Sequence, residues 1–476
     1  MLKAVIADSE IIVDRKIRTE KTGEIMKETI SYQGRELEVL GTWETIIAGG
    51  GSAGASAALT SAQAGKKTLI VEKSIRLGGS SVNALVTPMM RSYTGHHSNF
   101  YALEEKLNAI APVRDHGVSN QRWYSAEAMC HSWDELLTDA GCDLLFDAAI
   151  ADVLMEGDQI RGLVVAVTEG LCAVLGKQFV DATGDAMVLR LAGVPCRRGD
   201  EDGNNQISSL RFEVGGVDIE KYRDYVFSLN DTYSVHHEAG DYFESAMVGG
   251  RGFALQPLFD QAVKDGVLIP DDLRYFQNYT VPGKPGVLSF NCPHLVHLMD
   301  NEHALDRSGA IIEGRRSIAR LMKFLKEYMP GFEHCYLVQE ASMLGIRESW
   351  ELIGDYVMPA GDYTNQARFE DAVARGDWYI DVHSAKKSLV HQISYQPGDY
   401  YEIPYRAMIS SAVKNICAAG RCISTEFLME ASIRIIPTVI DIGQAAGEAC
   451  VLALDQGIDL HAVNGIELKE KLGEYR

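Results

Sequence analysis

Three glycines and an acid carry the first chemistry legible in the chain. Gly49-x-Gly51-x-x-Gly54 follows an apolar run, Ile46-Ile47-Ala48, and opens a segment of small residues closed by Gly65. Thr68-Leu69-Ile70-Val71 then reads as a second buried strand ending at Glu72. In such a unit the first glycine permits a tight turn, the second lets backbone approach a pyrophosphate, and the third lets helix lie close on strand. The helix start offers unpaired N–H groups to phosphate oxygens. Glu72, 21 residues after Gly51, stands where an acid accepts hydrogen bonds from ribose hydroxyls. Strand, glycine turn, helix, strand and acid, in that order, predict a dinucleotide site.

The elements that must position this site belong to a long acidic chain. Its 476 residues suffice for two or three domains, and 46% hydrophobic with 23% charged residues is the composition of a soluble globular protein. The formal charge of −21 argues against a nucleic-acid surface, which needs clustered Lys and Arg, but not against a local basic pocket. Nine scattered cysteines without a Cys-x-x-Cys pair resemble a reduced chain and lack the usual iron–sulfur spacings. No uninterrupted apolar run of spanning length and no signal-peptide core is seen, so the expectation is a cytoplasmic protein without a membrane segment.

Along the chain, residues 1–40 read as two short strands or an extended lead-in. Residues 41–195 read as the first part of a nucleotide-binding domain, with a β meander from 143 to 184. Residues 196–404 are less regular and read as an inserted α+β substrate domain, and residues 405–476 return to the nucleotide domain. Pro437 to Leu454 reads as one long helix of small residues, with proline in its first turn, where its missing N–H costs nothing.

Five motifs in this order resemble the FAD-dependent oxidoreductases of the glutathione-reductase-like superfamily, near the fumarate reductase flavoproteins. They are Gly49–Gly54 with Glu72; Leu77-Gly78-Gly79; Asp181-Ala182-Thr183-Gly184-Asp185; Gly345-Ile346-Arg347-Glu348-Ser349; and Tyr405-Arg406 with Ala419-Gly420-Arg421, Arg434 and Gly443–Gly447. The resemblance implies a three-layer, Rossmann-like FAD-binding domain with the inserted domain described above. It implies that Gly49, Gly51, Ser52 and Gly54 cradle the pyrophosphate, with Gly78, Gly79 and Ser80 in a second turn nearby. Glu72 would meet the ribose and Ala182-Thr183-Gly184 the adenine half. Gly420 and Arg421 would approach the ribityl and phosphate, and the helix start at Thr438 the flavin pyrimidine.

The activity implied is hydride transfer between flavin N5 and a small organic substrate, with a carboxylate as one candidate class. Arg347, Arg434 and Arg421 would hold an oxyanion, and Tyr405 could relay a proton. A flavin-linked oxidase of amines or hydroxyls, or an electron-transfer subunit with a redox partner, is the alternative; the sequence also leaves a homo-oligomer open. Other residues carry two readings each. His96-His97 suits a cavity proton donor, a flavin attachment point, or an exposed loop. Cys292-Pro-His294-x-x-His297 with His303 suits metal ligands or a helix start, and the reading taken is no metal. Arg347 and Glu348 could instead form a buried structural pair, and Arg251 and Arg406 could each bind an anion or merely decorate the surface.

Overall fold

A computed structural model describes residues 16–17, 28–110, 120–237, 242–298, 300–384, 388–391 and 395–476. Its centre is a five-stranded parallel sheet in the spatial order Ile416–Ala418, Gln178–Asp181, Thr45–Ala48, Thr68–Val71, Asp143–Leu145. The three middle strands are buried at every position, as strands covered on both faces must be.

Two helices of small residues cover one face. Helix Ser52–Gln63 is buried along almost its whole length, and the long helix Ile436–Gln456 crosses it. Glycines set how closely they approach. A Cβ on Gly443 would stand 2.1 Å from the Ala53 carbonyl oxygen, and one on Gly447 would stand 2.3 Å from that of Ala57. The Ser56 hydroxyl donates to the Ile440 carbonyl at 2.7 Å across the same contact. By length and composition the long helix could cross a membrane, although no uninterrupted apolar run of spanning length was expected; here 94% of its most apolar 18-residue window is buried in the molecule.

A six-stranded sheet forms the third layer. The meander Ala149–Glu156, Gln159–Val167, Gly170–Leu175 lies beside the hairpin Glu28–Tyr32 and Arg35–Thr42, joined by parallel pairing of 172–175 with 38–42. The period of two explains its faces. Val153, Leu163 and Val165 enter the main core, while Leu154 and Val164 turn away to meet Ile30 and Leu37. The expected lead-in is therefore an integral edge of this sheet.

Between strands Gln178–Asp181 and Ile416–Ala418 of the parallel sheet the chain builds another six-stranded, antiparallel sheet, including Phe212–Gly215, Tyr242–Met247 and Phe276–Thr280. Helix Ala304–Tyr328 accompanies it. A separate short strand, Asp381–Ser384, follows the irregular loop that carries Arg347.

The glycine contacts give a stability test. Gly447→Ala should destabilise the fold by roughly 1–3 kcal/mol, because the clash is with backbone that cannot move aside. Gly309→Ala, in the exposed interior of helix Ala304–Tyr328 with nothing within 4 Å, should instead stabilise by about 0.5–1 kcal/mol. Denaturant unfolding of both variants checks the opposite signs.

Candidate active site

The parallel strands run into turns along one edge, and a cavity of about 370 Å³ opens there, inside the range of roughly 300–1,000 Å³ usual for ligand and cofactor sites. Its wall takes Gly49, Gly51 and Ser52 from the first turn, Glu72 and Lys73 from the end of strand Thr68–Val71, and Ala182–Asp185 from the turn after strand Gln178–Asp181. Gly79, Ser80, Gly420 and Arg421 complete this end.

Each glycine of the first turn has a different reason. Gly49 has φ +95°, and a Cβ there would lie 2.6 Å from the Ala182 carbonyl oxygen. On Gly54 a Cβ would lie 1.9 Å from the Gly49 carbonyl oxygen, so the helix can sit on its strand only as glycine; Gly54 lies behind the wall. At Gly51 nothing is nearer than the Gly79 Cα at 3.9 Å, and the vacant side-chain position belongs to the cavity wall. The Gly78 N–H donates to the Gly50 carbonyl at 2.8 Å and docks the second turn on the first, with Gly78 itself behind the wall.

Glu72 is buried, and its two oxygens accept from the Gly50 N–H at 2.7 Å and the Ser74 N–H at 2.8 Å. It therefore braces the turn as well as lining the cavity. Helices Ser52–Gln63 and Ile436–Gln456 both begin at the wall with no side-chain cap and no acid in the first turn. Their orphan N–H groups make two positive ends beside one cavity. Ile436 and Val439 line it; Thr438 is buried behind them, its hydroxyl without a partner.

Arg421 is already occupied. It donates to Asp185 at 2.6 Å and to the Ser349 hydroxyl at 2.6 Å, while that hydroxyl donates to Asp185 at 2.7 Å. Burial alone would raise the Asp185 carboxyl, but Arg421 outweighs it and holds the group down at about 2. This trio fixes the wall near Gly184 with its charge cancelled internally.

The other end of the cavity is cationic. Arg347 donates to the Ile207 carbonyl at 2.6 Å and the Ser209 hydroxyl at 2.9 Å, and among the described residues no carboxylate forms an ion pair with it. Arg434 donates to the Asp381 carbonyl at 2.9 Å and stands 4.0 Å from that residue's carboxylate. Arg211, which sequence reasoning missed, is buried in the same wall with Nε and one terminal nitrogen unpartnered. Burial, then the charge of Arg347, lowers Arg211 to about 9, and burial, then Arg434, lowers Arg347 to about 10. Arg211 and Arg347 both remain cations at neutral pH. Asp381 and His383 join them from alternate positions of one short strand.

Several expectations change. Tyr405 is in the core, not the cavity; its hydroxyl donates to the Leu460 carbonyl at 2.8 Å, which leaves it no proton to relay. Glu348 does not pair with Arg347 but accepts from Gly199, Asn205 and Gln206. His96 and His97 are neither exposed nor in the wall: both are buried around Asp441 of the long helix, with the His96 ring 2.8 Å from its carboxylate. Arg406 pairs with Asp371 at 3.1 Å, and Arg251 lies outside the wall. Cys292–His297 forms no helix start; His294 stacks on Tyr275, His297 meets Asp271 and His303 meets Asp306. Among the described residues no cluster of three or more His, Cys, Asp or Glu could hold a metal.

The geometry fits FAD: uncapped N–H groups and a vacant glycine position for a pyrophosphate, a buried acid for the ribose, and a second positive helix end further along. The sequence profile of the family described as FAD dependent oxidoreductase matches residues 44–472. The chain belongs to this family. No curated protein matches the chain. Similar solved structures include a geranylgeranyl bacteriochlorophyll reductase-like protein of Thermoplasma acidophilum, with 14% identity, TM-score 0.44, and coverage of 90% of this chain and 83% of that one. A flavin-dependent brominase shares 13% identity at TM-score 0.47, covering 90% and 83%. The p-nitrophenol 4-monooxygenase of Pseudomonas putida DLL-E4 shares 10% at TM-score 0.44, covering 91% and 84%. The protein is thus an FAD-dependent oxidoreductase, with FAD as its cofactor.

Glu72→Ala should weaken FAD retention and lower the melting temperature of the FAD-free protein, because both N–H groups lose their acceptor. The loss should be roughly 1–3 kcal/mol, and smaller for Glu72→Gln. Flavin content and thermal melts of the three proteins measure this. Equal values throughout would show that Glu72 neither braces the turn nor meets the cofactor.

Proposed function

We propose that the protein catalyses hydride transfer between FAD and a small organic substrate carrying a carboxylate. When bound, FAD supplies a two-electron carrier that gives or takes a hydride at N5. The first-turn residues Gly49, Gly51 and Ser52 would hold its pyrophosphate, and Glu72 its ribose. The long helix's positive end would favour negative charge on the reduced ring.

The observation that carries the substrate reading is a cationic wall whose arginines outnumber their ion pairs. Three guanidiniums, Arg211, Arg347 and Arg434, line the cavity, and only Arg434 has carboxylates within 4.0 Å among the described residues, Glu430 at 3.8 Å and Asp381 at 4.0 Å. A buried cation without an anion is costly, and a bound carboxylate would relieve that cost. Arginine's planar fork also suits two-point recognition of a carboxylate. The charge distribution supports the same reading: an acidic exterior would slow capture of anions unless the pocket itself attracted them. Arg211, Arg347, Asp381 and His383 come from residues 196–404, which supports that segment as the substrate-bearing part of the chain.

Arg211→Met separates binding from structure. It should weaken carboxylate binding at least tenfold, about 1.4 kcal/mol, while leaving the ligand-free melting temperature unchanged or raised. Arg347→Lys, which keeps charge but loses the fork, should cost about tenfold in kcat/KM. A lower melting temperature with unchanged binding for Arg211→Met would make Arg211 structural and remove the reading's main support.

A further inference from the structure

His383 is the histidine that lines the cavity among these cations; His294, its Nε2 3.5 Å from Arg347, stands behind the wall. Its strand, Asp381–Ser384, buries Val382 in the core, as Ile380 is just before it, and by the two-residue period turns Asp381 and His383 to the cavity. The His383 Nε2 lies 3.4 Å from the Asp381 carboxylate, and its Nδ1 is buried with no partner. Around the ring stand Tyr275 and His294, at 6.0 and 5.2 Å between ring centroids. Arg347 and Arg434 act on it electrostatically, and the Asp381 charge acts in turn on Tyr233 and Tyr379. The same Asp381 touches Arg434, so one carboxylate orients both an anion-holding group and a histidine.

Building on the carboxylate reading above, we infer that the substrate is a 2-hydroxy acid and that His383, oriented by Asp381, is the group that accepts its hydroxyl proton. In the step, the substrate O–H bond breaks and its proton joins a lone pair of the His383 ring. The hydrogen on the same carbon leaves with its electron pair to FAD, the oxidant, and the two bonds lost are replaced by a carbonyl, giving a 2-oxo acid. A hydroxyl is favoured over an amine because the latter enters as an ammonium ion, which three guanidiniums repel.

The wall also explains why the base would work only with substrate present. Burial, followed by the charges of Arg347 and Arg434, holds His383 down to about 4, too weak to take a proton efficiently near neutrality. A carboxylate seated on those arginines offsets their fields, and the ring recovers basicity toward an ordinary histidine value of about 6.5. Because the proton is bound more tightly in the complex than in the free protein, carboxylate binding must take up protons between these values. Uptake fades at higher pH, where both states are neutral.

The test uses FAD-loaded protein and pyruvate, a 2-oxo acid that cannot be oxidised by this step. Calorimetry in buffers of different ionisation enthalpy should show roughly half a proton or more taken up per pyruvate at pH about 5, and almost none by pH about 8. His383→Asn and His383→Gln, checked for unchanged FAD content and melting temperature, should bind pyruvate but lose the uptake. Lactate should displace pyruvate at least tenfold better than alanine does. Pyruvate binding without uptake, uptake that survives in both variants, or displacement by alanine as good as by lactate overturns the role of His383 or the hydroxy-acid assignment while leaving the carboxylate reading standing. Failure of pyruvate to bind, or equal binding of neutral pyruvamide, overturns the carboxylate reading itself and this inference with it.

Discussion

The structure depends on how close a helix start can come to the strand that precedes it. At Gly54 a Cβ would lie 1.9 Å from the Gly49 carbonyl oxygen, so a side chain of any size pushes helix Ser52–Gln63 off its strand. Everything downstream inherits that distance. The helix aims its free N–H groups at the cavity, and Gly443 and Gly447 let the long helix nestle against it. That second contact brings another uncapped helix end to the same space. Two positive ends beside one cavity are a consequence of small residues, before any charged side chain is considered.

Charge is the second theme. A protein of net charge −21 holds three arginines on one wall, Arg211 buried and Arg347 and Arg434 partly so, and among the described residues the first two form no ion pair with an acid. Arg421 shows the contrast, since Asp185 cancels it and Ser349 fixes it in place. The same residue type therefore has two uses in one wall: a self-contained brace beside Asp185, and an open demand for an anion at Arg211 and Arg347. His383 sits where that demand is felt most, which ties its proton affinity to whatever satisfies the arginines.

The nucleotide half of the site was legible in the sequence because its constraints are local. Gly49, Gly51, Gly54 and Glu72 lie within one strand–helix–strand unit, and each residue type answers a demand of the turn itself. The substrate half was not. Arg211, Asp381 and His383 meet through a sheet and a loop separated by more than a hundred residues, and no spacing announces them. Arg347 was reached through a family motif, whereas its partners, Ile207 and Ser209, are apparent only in three dimensions. Tyr405 and His96-His97 erred in the opposite way: reactive residue types near informative motifs turned out to be core residues with their hydrogen bonds used internally. The hairpin of residues 28–42 looked peripheral because its parallel partner, Gly170–Leu175, is distant in the chain.

The central claim is that the arginine wall is the substrate's anion site and the glycine turns are the cofactor's. A crystal structure of the FAD-loaded protein with pyruvate tests it most directly. The account predicts pyrophosphate density at Gly49–Ser52 and a carboxylate bridging Arg347 and Arg434, with Arg211 in reach. Pyruvate carboxylate density elsewhere, with the three arginines unengaged or covered by the cofactor itself, would contradict it.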